Sequence, residues 1–477
     1  MARRLTSVLS MTAGVAVVLA CTTAAATPPP EPTPGAAGIG DPYYPLDGNG
    51  GYDVDRYVLD VTYAPDADLL TGVAEVQART TQALSAFNLD LEGLEVRSVT
   101  VDGEAATFTR DAGELTITPA EPLAECTDFS TVVTYDGVPQ TIEDQYGLTG
   151  FFHTDDGAVV IGEPDVAATW FPANDHPLDP AAFTFDITAP EGLEVIANGE
   201  FEGASTADGM TTTTWVADAP MAPYLAGLAI GEFDVDSYTV DGISYVDAID
   251  PDLFTGPGSE GELAAASLAR QPEIIAFLEG YFGPYPFDSA GGIVDDLVEL
   301  GFALENQTRP IYTRSFFTDP ALGDSVVVHE LTHQWFGDDL LVQGWRDIWL
   351  NEGFATYAEW LWSEEEGLGT AQELFDGLTS AIPADDPFWT LRVDDPGPDA
   401  IFDGPVYERG AMTLHALRLA VGDEAFFEIL GEWAAQQSGQ NVTTAEFVDL
   451  AEQVSGQQLD DLFTTWLVTP EKPAGLP

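Results

Sequence analysis

Between Tyr43 and about Ile243, apolar and polar residues alternate in short runs that Gly, Asp and Pro interrupt. Residues 58–63, 94–99, 115–118 and 211–216 are clear cases. Alternation puts successive side chains on opposite faces of an extended strand, so such runs with turn residues between them predict half-buried sheets. From about Asp250 the pattern changes. Residues 263–270, 326–335, 348–362 and 410–420 have helical length and composition, and further helices are expected between Glu424 and Leu467. The predicted fold class is multidomain, β plus α/β: an N-terminal β-sheet domain over 43–245, then a mainly helical α+β domain over 246–477. No internal repeat is present.

The chain start has a different character. Arg3 and Arg4 precede a largely apolar run over 5–20, and this run falls short of the ~20 apolar residues of a membrane span. It reads as a secretory signal over 1–26. Residues 24–26, all alanine, offer a cleavage site, and Val18-Leu19-Ala20-Cys21 offers a second scheme in which Cys21 is acylated. The protein is expected outside the cytoplasm, extracellular or attached to the cell surface. Prolines at 28, 29, 30, 32 and 34 predict a stiff tether over 27–42. Cys126 is the other cysteine, so no disulfide is expected within the folded body, and a single buried thiol is the expectation for it.

Charge narrows the partners. There are 81 Asp+Glu against 14 Lys+Arg, a formal net charge of -67, while 45% of the residues are apolar. The apolar share suffices for a sizeable core. The surface repels phosphate backbones and anionic lipid, which excludes nucleic acid and leaves membrane contact only through a lipid anchor at Cys21. A monomer is expected. No Asp-x-Asp-x-Asp-Gly loop ending in Glu is present, so the acidity carries no calcium-loop signature.

The strongest chemical signal is His329-Glu330-Leu331-Thr332-His333. On a helix, positions i and i+4 share a face one turn apart, so both imidazoles reach one cation and Glu330 stands beside it as a general base. Chance would produce such a pattern in this chain on the order of 0.01 times. Asp324 or Ser325 is the expected cap of that helix. A zinc site with an open position takes three protein ligands. Glu352, 19 positions after His333 within Trp349-Leu350-Asn351-Glu352-Gly353-Phe354, is the third candidate. The gap suits a second helix returning antiparallel. Phe336 stands where a metzincin needs glycine, which excludes that alternative. Asp347 is a candidate for orienting a ligand histidine. His153, His176 and His415 match no ligand spacing and are expected to pack or to hydrogen bond.

These motifs resemble the M1 aminopeptidases, a gluzincin family. The likeness rests on 329–337 with 351–355, including the 18-residue spacer, and on Phe282-Gly283-Pro284-Tyr285-Pro286-Phe287. The resemblance implies a saddle-like β domain, a thermolysin-like catalytic domain, and one Zn²⁺ per chain held by His329, His333 and Glu352. It implies hydrolysis of peptides with a free N-terminus, with Glu330 as base and Tyr407 stabilising the oxyanion. Phe302-Ala303-Leu304-Glu305-Asn306 stands where the family has Gly-Ala-Met-Glu-Asn. There Glu305 would hold the substrate amine, and Ala303 and Leu304 would pair with the substrate through their backbone. Glu163 resembles a second amine anchor. Phe302 in place of glycine departs from the pattern and narrows the cleft. A large helical domain often follows in this family, whereas 70 residues follow Tyr407 here, so a two-domain, open-mouthed form is expected. Three rivals stay open at this point: an epoxide hydrolase on the same scaffold, an endopeptidase, and a binding protein with a vestigial zinc site.

Overall fold

The computed structural model describes residues 30–143 and 145–474. The signal over 1–26 and Cys21 lie outside the described residues. Two compact units are distinguished. Of the first, which ends at Glu31, only Pro30 and Glu31 are described, and both are exposed. The second runs from Pro32 onward and contains everything below.

The β domain is built on an eight-stranded sheet. Its order is Glu200–Ala207, Met210–Met221, Ala181–Pro190, Tyr52–Ala64, Leu69–Thr80, Asp128–Gly137, Glu95–Val101 and Glu104–Ala105. In Tyr52–Ala64 the buried set is Tyr52 and Val54, then Tyr57, Leu59, Val61 and Tyr63. The switch from even to odd positions coincides with a register shift between Val54 and Arg56. An extra residue there rotates the rest of the strand, so one core face is kept despite the broken alternation. A five-stranded sheet contains Ala158–Ile161, buried throughout, and Glu163 follows two residues after its end.

Two expectations about boundaries change. From Thr33 the proline-rich stretch is part of the body, not a tether: Thr33–Pro34 pairs with Leu84 and Ala86, and Gly35 N–H donates to Ala86 at 2.8 Å. Further on, buried Asp41 accepts from Tyr43 N–H at 2.7 Å and from Trp345 N–H at 3.0 Å. The proline content masked these later contacts. The domain boundary expected at 245 falls inside a strand. Asp234–Val240 and Ile243–Ile249 form a hairpin whose second strand pairs in parallel with Ser289–Asp295, itself parallel to Ile311–Thr313. That sheet belongs to the catalytic half. Asp234–Val240 is mostly exposed and Ser289–Asp295 is buried throughout, and neither pattern names its partner strand, so local pattern alone could not assign the hairpin.

The helices are α1 (Glu260–Leu268), α2 (Gln271–Phe282), α3 (Pro320–His333), α4 (Trp349–Glu365), α5 (Ala371–Ala381), α6 (Gly410–Val421), α7 (Asp423–Gln437), α8 (Thr444–Ser455) and α9 (Asp460–Phe463). α3 starts earlier than expected. Its cap is Asp319, which accepts from Ala321 N–H, and Pro320 fills the first position, where no N–H is needed. Asp324 instead pairs with Arg270 at 2.6 Å. Cys126 is exposed, contrary to the buried thiol expected, and occupies a left-handed turn position (φ 58°).

Buried Arg309 joins the halves. Its guanidinium donates to Gly199 O on the β side and to Val246 O on the catalytic side, both at 2.9 Å. Asn198 Nδ2 adds bonds to Leu225 O at 3.0 Å and Gln307 O at 2.7 Å, which fastens the loop carrying Glu305. Among the described residues no helix is long and apolar enough to cross a membrane.

Candidate functional site

His329, Glu330 and His333 lie on the second half of α3, and Glu352 on the first turn of α4. Glu352 Oε2 is 3.2 Å from His329 Nε2 and 3.5 Å from His333 Nε2. Ligand atoms of the three residues all fall within 4.8 Å of one another. The other ring nitrogens are occupied. His329 Nδ1 is 2.8 Å from Glu359 Oε1, and His333 Nδ1 is 3.0 Å from Phe336 O. A carbonyl only accepts, and so does an ionised carboxylate. Each Nδ1 therefore carries a proton, which leaves Nε2 of each ring as the nitrogen that a cation beside Glu352 would take.

Close helix packing fixes this arrangement. A Cβ on Gly353 would come within 2.9 Å of Gly410 Cα, and one on Gly410 would meet Gly353 Cα at the same distance. Glycine at both positions lets α4 approach α6, which sets Glu352 against Tyr407. Tyr407 sits in a π-helical turn, Pro405–Arg409, and its ring stacks on His329 with centroids 6.1 Å apart.

The electrostatics call for a cation. Glu163, Glu305, Glu330, Glu352 and Glu359 line a cleft of about 400 Å³ to which no Lys or Arg contributes. Burial pushes the Glu330 carboxyl up to about 8, against the pull of both histidines. Burial would also raise Glu352, but His333 and His329 hold it down to about 2. Burial disfavours charge on His333, yet Glu305 and Glu352 carry it up to about 9. Two neutral imidazole nitrogens and one carboxylate form a borderline-soft donor set that suits a tetrahedral divalent ion of the zinc type, and its positive charge would take the place of these protons. The residues fit such an ion.

Glu305 joins the cage from the side, its carboxylate within 4.8 Å of ligand atoms of Glu330 and His333. Gln334 fastens its loop to α3, donating to Glu305 O at 2.9 Å and accepting from Thr308 N–H at 2.7 Å. Glu163 is 9% exposed, and its Oε1 has no hydrogen-bond partner among the described residues. Burial and then Glu305 drive its carboxyl well above the ordinary range. One expectation changes here. The Leu304 backbone is already paired with Ile311, N–H to O at 2.9 Å in both directions, so it has nothing left for a substrate. In an antiparallel ladder the neighbouring peptide faces the opposite edge, which leaves Ala303 as the backbone group on the cleft side.

Similarity to known proteins agrees with this geometry. Residues 267–466 match the Peptidase family M1 domain, and residues 53–225 match the Peptidase M1 N-terminal domain. The chain belongs to the M1 peptidase family. Probable aminopeptidase 2 of Sulfurisphaera tokodaii is 28% identical over 408 residues, 80% of this chain and 49% of the relative. Aminopeptidase M1 of Arabidopsis thaliana is 26% identical over 333 residues, 65% of this chain and 36% of the relative. The chain thus spans between about a third and a half of these relatives. A crystal structure of an M1 zinc metallopeptidase from Deinococcus radiodurans superposes with a TM-score of 0.81 at 28% identity, covering 92% of this chain and 99% of that one. A variant of that protein has been solved bound to a Tyr-Ser-Ala substrate.

Within this M1 site the residue that sequence reasoning missed is Glu359. It lies seven residues after Glu352 on α4, two turns along the same face, and that spacing was the available signal. Asp347, the residue expected to orient a histidine, instead accepts from Thr444 N–H at 3.0 Å and from its hydroxyl at 2.6 Å. Of the remaining histidines, His176 faces Asp41 at 3.4 Å, His415 lies 3.2 Å from the Tyr357 hydroxyl, and His153 lies 2.9 Å from that of Tyr63.

Proposed function

We propose that this chain is a zinc-dependent aminopeptidase that releases N-terminal residues from peptides. One observation carries the reading: a three-donor metal cage shares a cleft with two further buried carboxyls, Glu305 and Glu163, of which Glu163 Oε1 has no partner among the described residues. Three ligands suffice for the ion. The other two acids suit a cationic group, and a free α-amine is the cation a peptide offers at the end where an exopeptidase cuts. The names of the relatives support the same activity.

His329, His333 and Glu352 would hold the zinc. When bound, it supplies Lewis acidity, acidifying a water and polarising a carbonyl oxygen. The chain's own groups do the rest. Glu330 accepts a proton from the water and delivers it to the departing amine, and the charge of a nearby divalent ion favours the carboxylate form that this requires. Burial holds the Tyr407 hydroxyl protonated far above its ordinary range, with Glu352 and Glu163 adding to the effect, so it stays a donor for the developing oxyanion. Glu305 and Glu163 fix the substrate amine, and the Ala303 backbone aligns the chain behind it. Export by the segment over 1–26 is part of this reading and rests on sequence alone.

Glu330→Gln tests the assignment. The variant should retain stoichiometric zinc and lose cleavage of aminoacyl-anilides, and N-acetylated peptides should resist the native protein. Full turnover by the variant, or cutting of the blocked peptides, would refute the reading.

A further inference from the structure

The segment that leads into Tyr407 has no regular structure to hold it. Residues 391–403 form turns and bends, without a strand or helix. Three tyrosine hydroxyls from the N-terminal part of the chain hold it instead. The Tyr43 hydroxyl donates to Asp395 Oδ1 at 2.6 Å and accepts from Gly397 N–H at 2.9 Å. The Tyr44 hydroxyl donates to Pro398 O at 3.1 Å. The Tyr146 hydroxyl donates to Asp399 O at 3.0 Å, and its ring meets that of Phe402 edge-on, with centroids 5.3 Å apart. From the clamped Gly397 a relay of turns runs to the residue before Tyr407. Ala400 N–H donates to Gly397 O at 3.1 Å, Asp403 N–H to Ala400 O at 3.2 Å, and Val406 N–H to Asp403 O at 2.8 Å.

The clamp is itself seated on the metal cage's framework. Asp41 Oδ1 accepts from Tyr43 N–H at 2.7 Å and from Tyr44 N–H at 3.2 Å. Its other oxygen accepts from Trp345 N–H at 3.0 Å, in the turn that enters α4, the helix of Glu352. Beyond Tyr407, buried Arg409 donates to Trp389 O and Leu391 O, both at 3.0 Å, and to Thr469 O at 2.6 Å. Tyr407 therefore sits between two anchors. The earlier one matters because its turn is π-helical, one residue wider than α-helical winding. Relaxation to α winding would swing a side chain by about 100° around the axis.

We infer that Tyr43, with Tyr44 and Tyr146 beside it, is a positioning residue for Tyr407. Its two hydrogen bonds fix the chain that enters the π-helical turn, and so fix where the Tyr407 hydroxyl points. The inference rests on the aminopeptidase reading above, in which that hydroxyl donates to the oxyanion. Such a donor acts only in place, since a displacement of about 1 Å can cost about 10²-fold. Tyr43 does not line the cleft, so it reaches the reaction only through the segment it holds.

Tyr43→Phe keeps the ring and removes both bonds. With an aminoacyl-anilide, kcat should fall at least about fivefold while KM changes by less than about twofold, and zinc should stay stoichiometric. Asp395→Ala cuts the same link from the catalytic side and should act in the same sense, as the independent variant. The deciding measurement is a double-mutant cycle. Added to Tyr407→Phe, Tyr43→Phe should change turnover by less than about twofold, because the hydroxyl it positions is already gone. Loss by the same factor in both backgrounds would mark a general structural role and overturn the inference. Native kcat in both single variants would overturn it as well, with the aminopeptidase reading intact. Full turnover by Tyr407→Phe alone would remove the oxyanion role and the clamp with it. A native protein inactive on every aminoacyl-anilide would refute the aminopeptidase reading and this inference together.

Discussion

His329 Nδ1 and Glu359 Oε1 stand 2.8 Å apart, and the second oxygen of Glu359 accepts from the Ser325 hydroxyl, one turn earlier on α3. Glu359 is therefore held at both oxygens and holds the imidazole in turn. Outer carboxylates of this kind fix the tautomer and raise the basicity of a metal-ligating histidine. Glu359→Ala should weaken metal affinity about 10–100-fold with the fold intact. Competition with a chelator of known affinity measures it, and affinity equal to that of the native protein would remove the assigned role.

Tyr407 touches no metal ligand by a hydrogen bond but stacks against His329 at the cleft wall. Tyr407→Phe keeps the ring and deletes the donor. Turnover should fall about 10²–10³-fold with little change in KM, because the lost bond is made only in the transition state. An equal rise in KM at constant kcat would assign the hydroxyl to substrate binding instead.

The difference between what the sequence disclosed and what it hid has a physical origin. His329, Glu330, His333 and Glu352 were legible because helix geometry ties spacing to direction, and the structure brings the three proposed ligands together. The helices over 326–335, 348–362 and 410–420 appear as α3, α4 and α6, each with ends shifted by a few residues. Long-range pairing was not legible. Nothing local marks the strand Ile243–Ile249 as the partner of Ser289–Asp295, or the segment after Thr33 as the partner of Leu84–Asp90. Leu304 shows the same limit at the site, since only the fold reveals that Ile311 already occupies its backbone.

Buried acids outside the cleft predict a pH dependence of stability. Asp90 and Asp179 are each pushed up to about 7, mainly by burial and against hydrogen bonds that favour the ionised form. The folded state then binds more protons than the unfolded state between about pH 4 and pH 7. Their stabilisation is complete below the unfolded value and is lost as pH rises through 7. With a chelator present, so that metal binding does not contribute, the melting midpoint should fall by several degrees from pH 5 to pH 8. Asp179→Asn should flatten that slope. A midpoint that rises over the same interval would contradict the raised values.

The acidity itself makes the last prediction. The ion pairs at Arg79–Asp128 and Arg97–Glu95 are at least half exposed at every partner, and pairs of that kind add little to stability. Against them stands the mutual repulsion of a chain with 67 excess negative charges. Screening weakens both, but repulsion is the larger sum and acts over longer distances, so salt should stabilise. The Debye length falls from about 30 Å at 0.01 M to about 10 Å at 0.1 M ionic strength. Most of the gain should therefore arrive at low concentration, before salt acts on apolar hydration. The melting midpoint should climb steeply between 0.01 and 0.2 M NaCl and level off beyond, whereas sucrose at matched osmolality should produce no such early rise. A flat or falling midpoint in the low-salt range would mean that local ion pairs, not net repulsion, set the electrostatic balance of this fold.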